Sequence, residues 1–140
     1  MINLNGLIAV GMGALFIVHM GTPVAAEEVT PKTGEQTYKA VCMACHSPQS
    51  SIEAPKLGDR SVWAPLIEEG QHVITAHGFV GVRAMPPRGG NPRLSLEEFG
   101  RAVAYMARAA GADWQDPDVN DHLMQRIRHE EHKRRSENKD

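Results

Sequence analysis

Cys42-Met43-Ala44-Cys45-His46 is the stretch on which the reading of this chain turns. Two thiols separated by two residues, with an imidazole directly after the second, fit the c-type haem attachment pattern C-x-x-C-H. At the end of a helix this spacing lets both sulfurs reach the vinyl groups of one porphyrin and sets the imidazole under the iron. Both cysteines of the chain are used in this way, which leaves none for a disulfide. Three rival chemistries compete for the same residues. A thioredoxin-like redox pair wants a βαβ pattern around it, and none is visible. A zinc site wants a second ligand pair at short spacing, which Cys42, Cys45 and His46 lack. A plain disulfide leaves His46 unexplained.

Working outward, Thr33-Gly34-Glu35-Gln36 reads as a capping box that opens a helix running through Tyr38 and Val41 to Cys42. Tyr38 and Val41 are three residues apart on one face, the arrangement of core packing. Downstream, Asp59 or Ser61 caps a short helix through Trp63, Leu66 and Ile67 that ends at Gly70. Residues 71–76 form another short helix, with Gly78 as its stop. Ser95-Leu96-Glu97-Glu98 is a second capping box. It starts a helix that carries Leu96, Phe99, Val103, Met106 and Ala110 at the spacing of a buried face. Gly100 weakens that helix by about 1 kcal/mol relative to Ala, which a close crossing with the first helix near Gly34 and Tyr38 would explain. No strand of any length is legible, so the expected fold is all-α.

An imidazole on one side of the iron leaves the opposite position to fill. A thioether there suits electron transfer, and an open position suits gas binding or peroxide chemistry. Of the seven methionines, Met1, Met12 and Met20 belong to the amino-terminal apolar stretch, Met43 sits inside the attachment turn, Met106 lies on a helical apolar stripe, and Met124 is in the charged tail. Met85 remains, in Arg83-Ala84-Met85-Pro86-Pro87-Arg88-Gly89-Gly90. Pro86 and Pro87 stiffen the chain after it and forbid helix. The two glycines let the backbone turn back. His72 and His77 are the rival ligands, in a helical stretch where solvent exposure is the expected fate.

The chain has 140 residues, with 15 basic and 17 acidic side chains and a formal charge of -2, a balance that favours neither nucleic acid nor a polybasic membrane surface. Residues 6–20 form the one long apolar run, no charged side chain precedes Glu27, and Val24-Ala25-Ala26 supplies small residues for cleavage. Residues 1–26 therefore read as an export signal, although the segment before the run has no Lys or Arg. The competing reading is an uncleaved anchor, but the run is shorter than the ~20 residues that span a bilayer. A membrane association follows only from that second reading.

From about Gly34 to Ala110 the chain resembles the class I c-type cytochromes, specifically the bacterial cytochrome c5 type. The resemblance rests on Gly34 and Tyr38, the Cys42–His46 pentapeptide, Ala54-Pro55-Lys56-Leu57-Gly58-Asp59, Trp63-Ala64-Pro65, Met85-Pro86-Pro87 with Gly89-Gly90, and Tyr105-Met106. It implies a small α-helical fold around one covalently bound haem c, with amino- and carboxy-terminal helices crossing beside it. By the same resemblance Cys42 and Cys45 bind the haem and His46 and Met85 ligate its iron. Pro55 offers its carbonyl to the Nδ1–H of His46, and Trp63 packs at the haem edge with its indole N–H directed to a propionate. Cytochromes of this type often carry two further cysteines after the Met loop. Here Asn91-Pro92-Arg93-Leu94 stands in that place, so Pro92 and packing of Leu94 must hold the loop.

The expected organisation is thus an export signal over residues 1–26, a linker over 27–32, a cytochrome c domain over 33–111 and an extension over 112–140. In the extension, Asp113 to Pro117 reads as a linker with one anchored Trp. Val119, Leu123, Met124 and Ile127 then recur at helical spacing ahead of a charged tail from His129. That helix either lies on its own domain, the favoured reading, or serves docking. His122, His129 and His132 are too loosely spaced to make a strong metal site. The resulting expectation is a periplasmic electron carrier rather than an enzyme, exchanging one electron with redox partner proteins. The alternatives are an electron-relay subunit of a larger oxidoreductase and a haem with an open sixth position. Arg83, Arg88 and Arg93 surround the Met loop with no acidic residue between Gly81 and Arg93, which fits a partner with an acidic docking face.

Overall fold

The computed structural model describes residues 30–139; the export-signal reading of residues 1–26 lies outside them. The described residues are helical, and their only β feature is an isolated bridge between Val82 and Met85.

The first helical run is three contiguous segments: α1 (Gly34–Thr37), a π-helical turn (Tyr38–Cys42) and α2 (Met43–His46). Thr33 is the N-cap of α1, and its capping box with Gln36 is closed in both directions, at 3.2 and 2.9 Å. The π turn is not part of the sequence expectation. It places one extra residue in the ladder just ahead of the attachment motif, with the Met43 N–H donating to the Tyr38 carbonyl.

α3 (Arg60–Glu69) opens at Asp59, whose carboxylate accepts from the Ser61 and Val62 amides and the Ser61 hydroxyl. These hydrogen bonds hold its pKa below the usual aspartate value. Trp63 on α3 is buried and donates its indole N–H to the Lys56 carbonyl at 2.9 Å.

α4 (Gln71–Val80) runs four residues further than the sequence suggested. It passes through Gly78 and stops at Gly81, whose φ of 101° only glycine adopts cheaply. Gly78 is there for space: a β-carbon at that position would lie 3.0 Å from Phe99 Cζ.

α5 (Leu96–Ala109) supplies most of the core. Phe99, Ala102, Val103, Met106 and Ala107 are buried, and Ser95 and Glu98 form the expected capping box. α1 crosses α5 at Gly34, where a β-carbon would fall 2.2 Å from the Arg101 carbonyl oxygen. Beside the crossing, the Tyr38 and Tyr105 rings pack with centroids 5.5 Å apart. Gly100 does not serve this crossing. A β-carbon there would meet Pro117 Cγ at 2.6 Å, so Gly100 admits the segment that follows α5. Buried Arg101 ties both flanks together, donating to the Lys32 carbonyl and to Asp118, each at 2.7 Å.

α6 (Asp121–Glu137) lies along α4. Met124 and Ile127 are buried beneath it, so Met124 is core rather than part of a solvated tail. His72 and His77, expected in solvent, face α6 instead: Arg126 sits 3.0 Å from His72 Nδ1, and His77 is 3.5 Å from Glu130. Partial burial and the Arg126 charge lower the His72 pKa against the opposing pull of Glu130. The helix is charged nearly all round, and its position is fixed by a narrow apolar contact plus these polar ones. Arg128 adds a 2.7 Å pair with Glu97 of α5.

Two substitutions test this packing. Gly34→Ala is expected to cost roughly 3 kcal/mol, because a side chain cannot yield where the obstacle is backbone; a loss under half a kcal/mol in guanidinium unfolding would refute the close crossing. Trp63→Phe, which takes the indole N–H from the Lys56 carbonyl and leaves it only the Asp59 amide, is expected to cost about 1 kcal/mol while leaving the absorption spectrum unchanged. A shifted potential at unchanged stability would show instead that the indole serves a haem carboxylate.

Candidate functional site

The attachment motif sits where the first helical run ends. Cys42 closes the π turn, and Cys45 and His46 lie in α2. Both cysteines are unpaired; Cys42 is buried and Cys45 exposed. Burial, and then the charge of Cys45, push the Cys42 thiol up to about 11. It is therefore protonated near neutral pH.

The His46 side chain is buried, and its Nδ1 lies 2.8 Å from the Pro55 carbonyl oxygen. A carbonyl can only accept, so in the neutral imidazole Nδ1 carries the proton and Nε2 keeps its lone pair for a metal. The loop that brings Pro55 to this point is held by its neighbours. The Leu57 amide donates to the His46 carbonyl at 2.8 Å, and Lys56 Nζ donates to the carbonyls of Cys45 and Ile52. Trp63, through the Lys56 carbonyl, anchors the same loop. Its indole N–H, which the resemblance directs to a propionate, is thus already committed to backbone.

Met85 comes from a separate loop. Residues 82–85 form a tight turn closed by two backbone hydrogen bonds between Val82 and Met85, 3.1 and 2.9 Å long, with Arg83 at a left-handed φ of 53°. The Met85 side chain packs against the core, and its Cε lies 3.8 Å from where a Gly78 β-carbon would be. A 3-10 turn (Pro87–Gly90) then carries the chain back over the π turn, placing Gly89 against Val41. The loop that carries Met85 and the helix that carries the thiols therefore touch.

Arg88 departs from expectation. The sequence sets it beside Arg83 and Arg93 as a charge around the loop; those two are exposed, and Arg88 is half-buried. Its Nη1 donates to the Pro92 carbonyl at 2.7 Å and reaches the Leu94 carbonyl at 3.5 Å, and its guanidinium lies 4.8 Å from the centre of the Phe79 ring. Leu94 is buried as expected, but the loop is also held by Arg88. Sequence reasoning missed this role because the partners are backbone carbonyls, which any residue supplies.

The donor set fits a covalently held haem. It offers two free thiols at C-x-x-C spacing, an imidazole with its tautomer fixed, and a thioether on a loop that touches the helix carrying the thiols. Among the described residues, no group of three or more His, Cys, Asp or Glu is placed to hold a metal ion.

Residues 29–106, over half the chain, match the family described as cytochrome c oxidase, cbb3-type, subunit III. Cytochrome c-555 of Chlorobaculum thiosulfatiphilum is 43% identical over 77 residues, covering 52% of this chain and 88% of the relative. Cytochrome c5 of Azotobacter vinelandii is 30% identical over 78 residues, covering 54% and 93%. A solved cytochrome c, from the crystal structure of an electron transfer complex of nitrite reductase with cytochrome c, superposes with a TM-score of 0.51 at 42% identity, over 55% of this chain and 93% of that one. The matched family, the named relatives and the helical fold agree: this chain belongs to the class I c-type cytochromes, of the c5 type, and is an electron carrier whose cofactor is covalently attached haem c.

Proposed function

We propose that this protein is an exported single-haem electron carrier in which Cys42 and Cys45 form the thioethers and His46 Nε2 and Met85 Sδ ligate the iron from opposite sides. The observation that carries this reading is the 2.8 Å hydrogen bond from His46 Nδ1 to Pro55, which leaves Nε2 with a free lone pair. When bound, haem c supplies a one-electron ferrous/ferric couple. The residues of the chain do the rest. His46 is held in one orientation by Pro55, which strengthens it as a donor. Met85 is carried by a turn whose backbone is bonded at both ends, so it need not be ordered anew in each redox cycle. Both residues that would hold the iron are thus carried on backbone fixed by hydrogen bonds, which would limit their rearrangement when the charge of the bound group changes.

Export is supported by the signal-like residues 1–26, and no helix of the described residues is long and apolar enough to cross a membrane. The partners are redox proteins. A relative that pairs with nitrite reductase supports a protein–protein reaction, and exposed Arg83 and Arg93 flank the Met85 loop as the cations an acidic partner would meet. A second reading, an electron-relay subunit of a larger oxidoreductase, is favoured by the oxidase-subunit family match; it requires the native protein to purify at the size of a complex.

Met85→Ala tests the ligand assignment. The variant is expected to keep its covalent haem, lose the weak long-wavelength ferric band that reports sulfur–iron bonding, fall in potential, and bind carbon monoxide rapidly when ferrous. Persistence of the band would remove Met85 from the iron.

A further inference from the structure

We propose that Arg88 is a positioning residue that holds the Met85 loop shut, a non-covalent clasp in a loop that contains no cysteine. The proposal rests on the assignment of Met85 as ligand and adds to it the device that keeps the ligand in place.

Three observations converge on Arg88. Its backbone is left-handed, φ 55°, a conformation unfavourable for a non-glycine residue that persists only where the surroundings enforce it. Its side chain then turns back along its own loop. One guanidinium nitrogen is shared between the carbonyls of Pro92 and Leu94, which bridges the turn after Met85 to the residues that lead into the Ser95 cap of α5. Finally, the cationic plane lies over Phe79, 4.8 Å from the ring centre, where a partly desolvated cation and an aromatic face attract.

Phe79 links the clasp to the ligand. Its ring packs edge-on against Phe99 with centroids 5.5 Å apart. Phe99 lies over Gly78, and the Met85 methyl borders the same gap. Gly81 closes the other end, since a β-carbon there would lie 3.1 Å from the Pro87 ring. The segment from Gly81 to Leu94 is therefore closed around Met85 by backbone fit at its start and by Arg88 at its end. A lysine cannot reproduce the clasp, because a compact ammonium lacks the planar face that stacks on Phe79. Arg135 of α6 approaches the same ring at 5.9 Å, but it is paired with Glu131 and touches no loop carbonyl, so it makes a useful comparison.

The test uses imidazole as an external ligand to the ferric holoprotein. Imidazole binds only after Met85 has left the iron, so the plateau rate at high imidazole reports how often the loop opens. Arg88→Met is expected to raise that plateau about tenfold, the scale of one lost charge-assisted hydrogen bond and its stacking. Arg88→Lys should fall between Arg88→Met and wild type, and Arg93→Met and Arg135→Met should match wild type. Arg88→Met indistinguishable from wild type, with Met85→Ala fast, would overturn the clasp and leave the ligand assignment standing. Wild type as fast as Met85→Ala would overturn both. If Arg88→Met does not accumulate folded, the same comparison with Arg88→Lys decides, its rate above wild type supporting the clasp and its rate equal to wild type refuting it.

Discussion

The hydrogen bond from His46 Nδ1 to the Pro55 carbonyl joins the two parts of the polypeptide that a haem must see as one surface. Everything on the attachment side is arranged to keep that carbonyl in place. Leu57 bonds back to the His46 carbonyl, Lys56 grips two further carbonyls, and Trp63 fastens the Lys56 carbonyl to α3. Each contact is modest alone, worth on the order of 1 kcal/mol. Together they define where one imidazole nitrogen points.

The Met85 loop uses a different strategy. The Met85 loop contains no helix beyond a single 3-10 turn and no covalent tie. Its order comes from a two-bond turn, prolines with fixed φ, a glycine whose absent side chain admits Pro87, and an arginine folded back on its own loop. In the proposed assignment Met85 would be the softer of the two attachments, and its rigidity would depend on these loop residues. α6, although beyond residues 29–106 matched by the family, lies on α4 and so supports the helix that backs this loop.

Much of the helical fold was legible because its signals are local. Two capping boxes, the apolar spacing of α5 and the stop at Gly70 all lie within a few residues of what they specify. Where the reading failed, the cause was a distant contact. Gly78 looked like a helix stop, yet it makes room for Phe99; Gly100 looked like a helix crossing, yet it makes room for Pro117. His72 and His77 looked solvent-facing because α6 is distant from them in sequence. In the candidate site the pentapeptide and the Met loop could be picked out from residue types and spacing. The Pro55 carbonyl was reachable only through the family resemblance. The carbonyl contacts of Arg88 are not legible at all, since nothing in a sequence marks which carbonyl an arginine will reach. The π turn was likewise invisible, because its residues are ordinary helix formers.

The proposed assignment puts one iron between His46 and Met85. The most direct measurement is a proton spectrum of the ferrous protein with its methionine methyl groups isotopically labelled. A methyl group bonded through sulfur to the iron lies against the haem face, where the ring current moves its resonance far upfield. The account predicts that one methionine methyl is so displaced, that it vanishes in Met85→Ala and in no other methionine variant, and that a slowly exchanging imidazole N–H proton is assigned to His46. Ordinary shifts for every methionine methyl, or a displaced methyl that survives the loss of Met85, would contradict it.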